Sequence, residues 1–471
     1  MNSQRELRDP IHGFIQRTEL EERIIDTSVF QRLRGIRQLA LANLVYPGAN
    51  HTRFSHSIGV MHVAGRLAKK LFVGPEEVVA ERIRLIRLAA LLHDIGHGPF
   101  SHVAEEILDE YFDSAKVRPA NQEKIHEIIT AQIIETNEEL AHLISGTERE
   151  KITALLKGDG EDALAKGIVS GPLDADKQDY LLRDSYFCGV KYGVFDIERL
   201  IGTLCIHADA FDEFLAASEG GVYTVEQYVI AKYHMATQVY RHKVRLITDS
   251  MITRAFQLGI EVDNLGWLKK VFSFDGSAEF VENYLQWDDA RVTTALLYPE
   301  GKGGYATELF RRLRERRLFK RIYTRRLAEF ESPISRKVLL DRMRDKAFRQ
   351  RLEESIAELL TSEMSVPVEK YHVVVKSFSI KSVKEQSRDS EGSIIVLEDD
   401  KIPKKFEEVS TLFKSINEKE TDQFIEVYAP VKYDGEVDKR RKKTKFMEGI
   451  TKIMLKSIDL QQELNYNSSA K

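Results

Sequence analysis

Apolar residues recur at three- and four-residue intervals over most of the chain from residue 19 to about residue 327. Residues 82–92 are typical, because isoleucine, leucine and alanine alternate there with arginine. This periodicity predicts packed helices. Two stretches interrupt it. Residues 46–50 are turn-forming, and residues 96–99 are expected to end the preceding helix because glycine and proline disfavour its continuation.

The pattern changes near residues 331–333, where the helical core periodicity stops. Two further helices are predicted, followed by strands at residues 372–378, 393–397 and 424–428. The polar segment 384–392 between the first two strands predicts a flexible hairpin loop. We therefore expect a mainly α protein, with a helical domain over residues 1–332 and a smaller α+β unit over residues 333–471.

Composition narrows the class of protein. A chain of 471 residues with 42% hydrophobic content supports a sizeable core, which excludes disorder of the whole chain. The 70 basic and 74 acidic side chains give a net charge of −4, so any basic site is local. Two cysteines exclude a disulfide framework. We expect neither a signal peptide nor a membrane span, because residues 1–5 lack an apolar core and no apolar run approaches about 18 residues. We expect a soluble cytoplasmic protein without a membrane partner.

The doublet His93-Asp94 follows the apolar run 82–92 directly. Burying an unpaired polar ring or charge costs roughly several kcal/mol. A bound metal ion is therefore the simplest explanation for this doublet at the end of an apolar helix. Histidines also occur at positions 51 and 56, and three aspartates lie within residues 174–179. Imidazole and carboxylate together hold cations that activate water on phosphates. Each segment alone has an ordinary explanation, such as a core histidine or a solvated helix start.

Taken together, these segments resemble the HD superfamily of metal-dependent phosphohydrolases, whose signature is a histidine, a His-Asp doublet and a distant aspartate. Residues 9–13, 30–34, 47–59, 93–102 and 174–184 are similar to its dNTP triphosphohydrolase branch. The resemblance implies four metal ligands, which are His56, His93, Asp94 and Asp176. These ligand types accept manganese, iron, nickel or zinc. Magnesium would accompany the substrate phosphates.

The resemblance also implies catalytic residues. Releasing tripolyphosphate requires water to attack the α-phosphorus and a proton donor for the leaving 5′ oxygen. The family pattern assigns the acid to His102, supported by Glu105 and His126. Many relatives have aspartate where Glu105 stands, which is a departure from the pattern. His97 would contact phosphate, or alternatively hold a structural bond near the helix end.

Substrate contacts follow from the same resemblance. Lys177 would reach the triphosphate, and Arg53 would meet the base and a phosphate. Residues matched to recognition of the 3′-hydroxyl are Gln38 and Asp184, and those matched to exclusion of a 2′-hydroxyl are Leu39, Tyr180 and Tyr240. The alternatives are a solvated lysine, a helix-capping arginine and core aromatics.

Members of this branch often form oligomers activated by nucleotides. The residues matched to a dGTP or GTP activator are Asp26, Gln31, Arg34, Arg316 and Lys320. Basic residues that relatives place before the helix of Tyr240 are missing, since residues 218–222 are uncharged apart from Glu219. The arginines of the run 311–321 could instead pair with Glu308 and Glu315 on a solvated amphipathic helix. We expect a homodimer or homotetramer. The basic run 439–443 is interpreted as a solvated helix start, so no nucleic-acid partner is expected.

The predicted function is a metal-dependent dNTP triphosphohydrolase. One alternative is an HD phosphodiesterase or nucleotidase acting on another nucleotide, for which loss of Lys177 or Gln38 would have little effect. The other is a non-catalytic nucleotide-sensing scaffold, for which four metal ligands would be superfluous.

Overall fold

The computed structural model of the chain describes residues 5–117, 124–158, 162–330, 333–364, 366–389, 392–398, 402–416 and 422–469, without the side chains of residues 333–335, 388, 389 and 459–469. Helices account for most of it. They are α1 (Glu19–Ile25), α2 (Ser28–Gln31), α3 (Arg53–Leu71), α4 (Glu76–Leu92), α5 (His102–Tyr111), α6 (Ile125–Thr136), α7 (Glu138–Ala141), α8 (Gly146–Lys157), α9 (Ala163–Val169), α10 (Ala175–Cys188), α11 (Ile197–Thr203), α12 (Val222–His234), α13 (Lys243–Glu261), α14 (Gly266–Phe272), α15 (Ala278–Leu285), α16 (Asp289–Leu297), α17 (Tyr305–Arg314), α18 (Pro333–Arg342), α19 (Lys346–Met364), α20 (Phe406–Val409), α21 (Thr411–Ser415) and α22 (Gly435–Ser469).

The strands form small sheets. They are β1 (Arg5–Asp9), β2 (Gly13–Arg17), β3 (Leu204–Ala208), β4 (Glu213–Ser218), β5 (Lys320–Arg326), β6 (Val374–Ile380), β7 (Arg388–Asp389), β8 (Gly392–Ser393), β9 (Ile395–Leu397), β10 (Pro403–Lys405) and β11 (Asp422–Ala429). Antiparallel hairpins pair β1 with β2 and β7 with β8. A four-stranded sheet has the order β10-β9-β4-β3, in which β4 and β9 are parallel. A three-stranded antiparallel sheet has the order β5-β11-β6.

The chain divides into two compact units, and the first comprises Met1–His242, Asn264–Gly303 and Val383–Glu418. Within it, α3 packs against both α4 and α10. Residues 88–92 at the end of α4 are completely buried. The helix ends there, with His93 as its C-cap, as the glycines and proline of residues 96–99 predict. The buried end of α4 therefore fixes the position of the His-Asp doublet that follows it.

The second unit comprises Lys243–Asp263, Gly304–Ser382 and Lys419–Lys471. Helices α18, α19 and α22 and one face of the β5-β11-β6 sheet enclose its own hydrophobic core. The basic run 439–443 lies in the first turns of α22, where Lys439 pairs with Glu436, and Arg441 and Lys442 pair with Asp438. This is the expected solvated helix start.

The predicted fold class, mainly α with a smaller α+β part, is confirmed. The two compact units nevertheless divide the chain elsewhere than between residues 332 and 333. The unit formed by α18, α19, β6, β11 and α22 also contains α13, α17 and β5, while residues 383–418 pack with the first unit because β9 pairs with β4.

The expected hairpin loop at residues 384–392 is wrong. Strands β6 and β9 lie in different sheets, and residues 384–387 form a 3-10 helix. Gln386 and Ser387 are buried there, and the Gln386 carbonyl accepts a hydrogen bond from Lys232 Nζ. Ser390 and Glu391 lie outside the described residues. Across the described part of the chain, none of the helices combines the length and the hydropathy that a bilayer crossing requires.

Candidate active site

Three helices bring the proposed metal ligands together. His56 lies in the first turn of α3, His93 caps α4 with Asp94 next to it, and Asp176 lies in the first turn of α10. The His56 Nε2 atom is 3.0 Å from Asp176 Oδ1 and 3.7 Å from Asp94 Oδ2. The His93 Nε2 atom is 3.2 Å from Asp94 Oδ1 and 3.9 Å from Asp176 Oδ1. The ligand atoms of His56, His93 and Asp176 lie within 4.8 Å of one another.

These side chains fit a divalent cation. The His93 Nδ1 atom lies 2.8 Å from the Ala90 carbonyl oxygen, so Nδ1 carries the proton and Nε2 offers a lone pair. That Nε2 atom is buried and has no hydrogen-bond partner among the described residues. A buried acceptor without a partner costs about 1–3 kcal/mol unless something binds it. Together, the two imidazoles and two carboxylates of this cluster form a donor set for manganese, iron, nickel or zinc.

The charges around the cluster are compensated. Burial opposes ionisation of Asp94, but the Arg53 guanidinium outweighs it and holds the pKa of Asp94 well below its usual range. Arg53 Nη1 donates to Asp94 Oδ2 at 2.5 Å. Burial is likewise outweighed at Asp176, where the hydrogen bond from His56 lowers the pKa to about 2. Both carboxylates are therefore anionic at neutral pH, as ligands of a cation need to be.

A second cluster adjoins the first through Asp94. His97 Nε2 lies 3.2 Å from Asp94 Oδ1, and the His97 ring stacks on His126 with centroids 4.0 Å apart. One oxygen of Glu105 lies 2.9 Å from His102 Nδ1, 3.2 Å from His97 Nδ1 and 3.4 Å from His126 Nδ1. All four residues of the predicted catalytic set are thus in one place, and the longer side chain of Glu105 still reaches His102.

The members of this cluster differ in exposure and protonation. Burial, followed by the nearby Arg53, lowers the pKa of His97 to about 4. Burial and the stacked His97 hold the pKa of His126 well below its usual range. The His102 side chain is 57% exposed and has the anionic Glu105 as its partner. Of these three histidines, His102 is the most exposed, and its Nδ1 atom faces the Glu105 carboxylate.

The loop between the two clusters is backbone-strained. Phe100 and Ser101 have φ angles of 64° and 53°, a region that non-glycine residues rarely adopt. Asp289 Oδ1 accepts from the Phe100 backbone N–H at 2.7 Å, and Asp289 Oδ2 accepts from Arg37 N–H at 3.1 Å. Ser101 Oγ accepts from Arg53 Nε at 2.8 Å. These bonds fix the start of α5, where His102 lies.

The sequence alone does not indicate the supporting role of Asp289, because no motif or spacing near it points to the loop that it contacts. The role of Arg32 was not predicted either, although Arg32 lies in the motif at residues 30–34. Its Nη1 atom donates to the His97 carbonyl oxygen at 2.9 Å and its Nε atom donates to the Trp287 carbonyl oxygen at 2.9 Å. Arg32 thereby anchors the loop that carries His97.

The residues matched to the phosphates are bonded within the protein. Lys177 Nζ donates to Asp174 Oδ2 at 2.6 Å and to the Gly171 carbonyl oxygen at 3.0 Å. Asp174 also caps α10 by accepting from the Lys177 backbone N–H at 2.7 Å. Arg53 is 2% exposed, and its Nη2 atom is buried without a hydrogen-bond partner among the described residues.

The residues matched to the sugar form a third group. Asp184 Oδ2 accepts from the Tyr240 hydroxyl at 2.7 Å, and Asp184 Oδ1 lies 2.7 Å from His51 Nε2. The rings of Tyr180 and Tyr240 meet edge to face with centroids 6.1 Å apart. Tyr240 ends a π-helix, Met235–Tyr240, a form frequent at functional sites. His51 was noted as a histidine upstream of the doublet, but its contact with Asp184 was not predicted.

Gln38 and Leu39 are buried on a segment that pairs with residues preceding α3. The Gln38 backbone N–H donates to the His51 carbonyl oxygen at 3.1 Å. The Gln38 Oε1 atom is buried and unpaired within the described part of the chain. The role of Leu39 stays a prediction.

The residues matched to an activator are all in exposed or partly exposed positions. Gln31 Oε1 accepts from Arg34 Nε at 2.7 Å, and Asp26 caps α1 nearby. Arg316 and Lys320 belong to the other compact unit. In the same basic run Arg312 pairs with Glu308 and Arg317 with Glu315, which is the ion pairing proposed as the alternative.

Comparison with known proteins agrees with this geometry. The HD domain profile matches residues 53–181, and the HD associated region matches residues 195–448. An uncharacterized protein of Methanocaldococcus jannaschii is 36% identical over 286 residues, which cover 59% of this chain and 56% of that protein. The human deoxynucleoside triphosphate triphosphohydrolase SAMHD1 is 32% identical over 349 residues, which cover 67% of this chain and 54% of that enzyme. The chain thus spans little more than half the length of these two relatives.

Two solved structures share the architecture. A hypothetical protein from Aquifex aeolicus superposes with a TM-score of 0.66 at 29% identity, covering 94% of this chain and 99% of that one. A phosphohydrolase from Bacteroides thetaiotaomicron has a TM-score of 0.68 at 24% identity, covering 91% and 100%, and that likeness concerns the fold alone. The matched domain contains the His-Asp doublet and all four clustered ligands, and the associated region covers more than half of the chain. The chain belongs to the HD-domain phosphohydrolases and carries the HD associated region of that family.

Proposed function

We propose that this protein hydrolyses deoxynucleoside triphosphates to deoxynucleosides and tripolyphosphate. One observation carries the proposal: the cluster of His56, His93, Asp94 and Asp176 shares Asp94 with an acid–base cluster that ends at His102. A relative named as a dNTP triphosphohydrolase, 32% identical over two thirds of the chain, supports the substrate class.

The four clustered side chains would hold one divalent cation. Bound there, the cation would supply Lewis-acid polarisation of a phosphate oxygen and of water. The protein's own contribution is to fix the ligands at the ends of three helices, so that little rearrangement is needed on binding. Magnesium would accompany the substrate phosphates, because it prefers phosphate oxygens and retained waters.

Proton transfer is assigned to His102. Attack of water on the α-phosphorus breaks its bond to the 5′ oxygen, which needs a proton to leave as a hydroxyl. His102 is exposed, and the Glu105 carboxylate 2.9 Å from its Nδ1 atom would hold the ring in place as the proton donor. His97 and His126 are buried with lowered pKa values, so they serve as neutral hydrogen-bonding groups near the phosphates.

Arg53 and Lys177 would meet the phosphates. The unpaired Nη2 donor of Arg53 is available for a phosphate oxygen while the Nη1 atom holds Asp94. Lys177 has to exchange its bond with Asp174 for a phosphate, or act only through the local positive charge. That engaged ammonium is the observation that favours a second candidate, an HD phosphodiesterase or nucleotidase in which Lys177 has no direct role.

Asp184 and Gln38 would bind the 3′-hydroxyl of deoxyribose. Asp184 already accepts one hydrogen bond on each oxygen, which fixes its orientation and leaves lone pairs for a further donor. The packed rings of Tyr180 and Tyr240, together with Leu39, would leave a 2′-hydroxyl buried and unpaired, which is penalised.

Regulation by a nucleotide activator would use a separate set of residues. Asp26, Gln31 and Arg34 offer hydrogen-bonding groups for a guanine, and Arg316 and Lys320 offer charges for phosphates of dGTP or GTP. The assembly that we propose to accompany such an activator is a homodimer or homotetramer.

The test is product analysis. Purified protein is incubated with Mn²⁺ and each dNTP, singly and with dGTP added, and the products are separated by anion-exchange chromatography. Deoxynucleoside plus tripolyphosphate is the expected result. Deoxynucleoside monophosphate plus diphosphate, or cleavage only of other nucleotides, would contradict the proposal and favour the second candidate.

Two variants accompany that assay. Asp94→Ala should abolish turnover while the circular dichroism spectrum stays nearly unchanged, because Asp94 follows the end of α4 and its side chain holds no helix together. Asp212→Ala, an exposed aspartate outside the site, is the matched control and should keep full activity.

A further inference from the structure

Asp179 lies behind the proposed metal cluster, three residues after Asp176 on α10. It is completely buried, and both of its oxygens are hydrogen-bonded. Asp179 Oδ2 lies 2.8 Å from His56 Nδ1 and accepts from Arg183 Nε at 2.8 Å. Asp179 Oδ1 lies 2.7 Å from His12 Nε2 and accepts from Arg183 Nη2 at 2.8 Å.

The contact with His56 fixes more than a distance. A carboxylate is only an acceptor, so the His56 Nδ1 atom is the donor. The ring nitrogen left for a cation is then Nε2, the atom that faces Asp176 and Asp94, and a bound cation would replace the proton that Nε2 shares with Asp176 in its absence. An outer carboxylate of this kind sets the tautomer and the ring orientation of a metal-binding histidine and increases its basicity.

Two distant parts of the chain hold Asp179 in place. Arg183 lies one helical turn after Asp179, is completely buried and donates hydrogen bonds to both Asp179 oxygens. His12 comes from the turn between β1 and β2, where the Asp9 carboxylate accepts from the His12 backbone N–H at 3.0 Å. The motif at residues 9–13 therefore lies next to α3 and α10. The family resemblance alone gave this motif no structural role.

A purely structural explanation treats Asp179 as the counter-ion of Arg183. Arg183, however, has a second carboxylate partner, because its Nη1 atom donates to Asp9 Oδ2 at 2.8 Å. Asp9 is bonded to Arg183 and to its own turn, and no described hydrogen bond joins it to His56. The two carboxylates therefore share the charge partner and differ in their contact with His56.

We propose that Asp179, braced by Arg183 and His12, is the positioning residue that holds His56 in the orientation required for metal binding. The inference rests on the metal site of the proposed function and deepens it. It does not depend on which nucleotide is hydrolysed.

The experiment measures Mn²⁺ affinity by isothermal titration calorimetry on chelator-treated full-length protein. Asp179→Asn is expected to weaken Mn²⁺ binding about 10- to 100-fold, the usual effect of removing an outer-shell partner. Asp9→Asn, the matched control, perturbs the same arginine and should bind Mn²⁺ within about threefold of wild type. His12→Gln should lie between the two.

A second variant distinguishes loss of metal binding from misfolding. Asp179→Asn removes one of the two carboxylates that pair with Arg183 and could therefore destabilise the fold. Asp179→Asn/Arg183→Met removes both charges together and should fold while still binding Mn²⁺ weakly. Wild-type affinity in either Asp179 variant would overturn the proposal, as would equal losses in Asp179→Asn and Asp9→Asn. If wild type binds Mn²⁺ but hydrolyses no dNTP, the proposed substrate is wrong and the role of Asp179 stands.

Discussion

Gly59 of α3 lies against Asp179 and Arg183 of α10, and Gly59→Ala tests this packing directly. A Cβ atom built at Gly59 would overlap the Asp179 carboxylate and the Arg183 guanidinium. Both side chains are completely buried, so neither has space into which it could move. One methyl group would therefore displace the ion pair that supports His56.

The opposing contributions differ in size. Alanine is a better helix former than glycine by about 0.5–1 kcal/mol, which alone would stabilise the variant. Overpacking a close-packed site costs about 1–3 kcal/mol. Loosening a buried ion pair costs about 3–5 kcal/mol when one partner is lost, and part of that when the pair is displaced. The net expectation is a destabilisation of about 2–4 kcal/mol.

The assay is urea unfolding followed by circular dichroism, combined with Mn²⁺ titration of the folded variant. Gly202→Ala is the matched control, because Gly202 lies in α11 with nothing within 4 Å of a Cβ atom. Its unfolding midpoint should equal or exceed that of wild type. A Gly59→Ala variant as stable as Gly202→Ala, with unchanged Mn²⁺ affinity, would refute the reasoning.

Three further predictions follow from single contacts. Tyr240→Phe removes the hydroxyl that donates to Asp184, so kcat/KM for dNTPs in steady-state assays should fall by about tenfold, the equivalent of one hydrogen bond to a charged group; an unchanged value contradicts the sugar-pocket assignment. Burial, followed by a neighbouring imidazole, lowers the pKa of His62 to about 4, so its contribution to stability is complete above about pH 6.5 and is lost as the pH falls toward 4. His62→Gln should therefore flatten the pH dependence of the free energy of urea unfolding in that window, by up to about 3 kcal/mol. Glu105→Gln should lower kcat at least about tenfold by removing the anionic partner of His102, and calorimetry should find its Mn²⁺ affinity unchanged.

The sequence was most informative where chemistry is local. His93 and Asp94 are adjacent, and the glycines after them end the helix where the doublet is needed, so the helix end and the ligand pair could both be predicted. Regular apolar spacing likewise predicted the helical character of the first three hundred residues. These inferences need only neighbours along the chain.

Long-range supports could not be predicted in the same way. Asp179 contacts His56 and His12 across 123 and 167 residues, and Asp289 reaches Phe100 across 189. No spacing rule relates such positions, because tertiary packing decides which carboxylate fills which gap. Parallel pairing of β4 with β9 similarly joins segments far apart in sequence, so the interleaving of the two units stayed hidden.

The central claim is that His56, His93, Asp94 and Asp176 hold one divalent cation. Anomalous diffraction from crystals soaked in Mn²⁺ tests it directly. We expect one strong peak about 2.0–2.3 Å from the Nε2 atoms of both histidines and from one oxygen of each aspartate. A peak elsewhere, such as among His97, Glu105 and His126, with none at the four ligands, would contradict it.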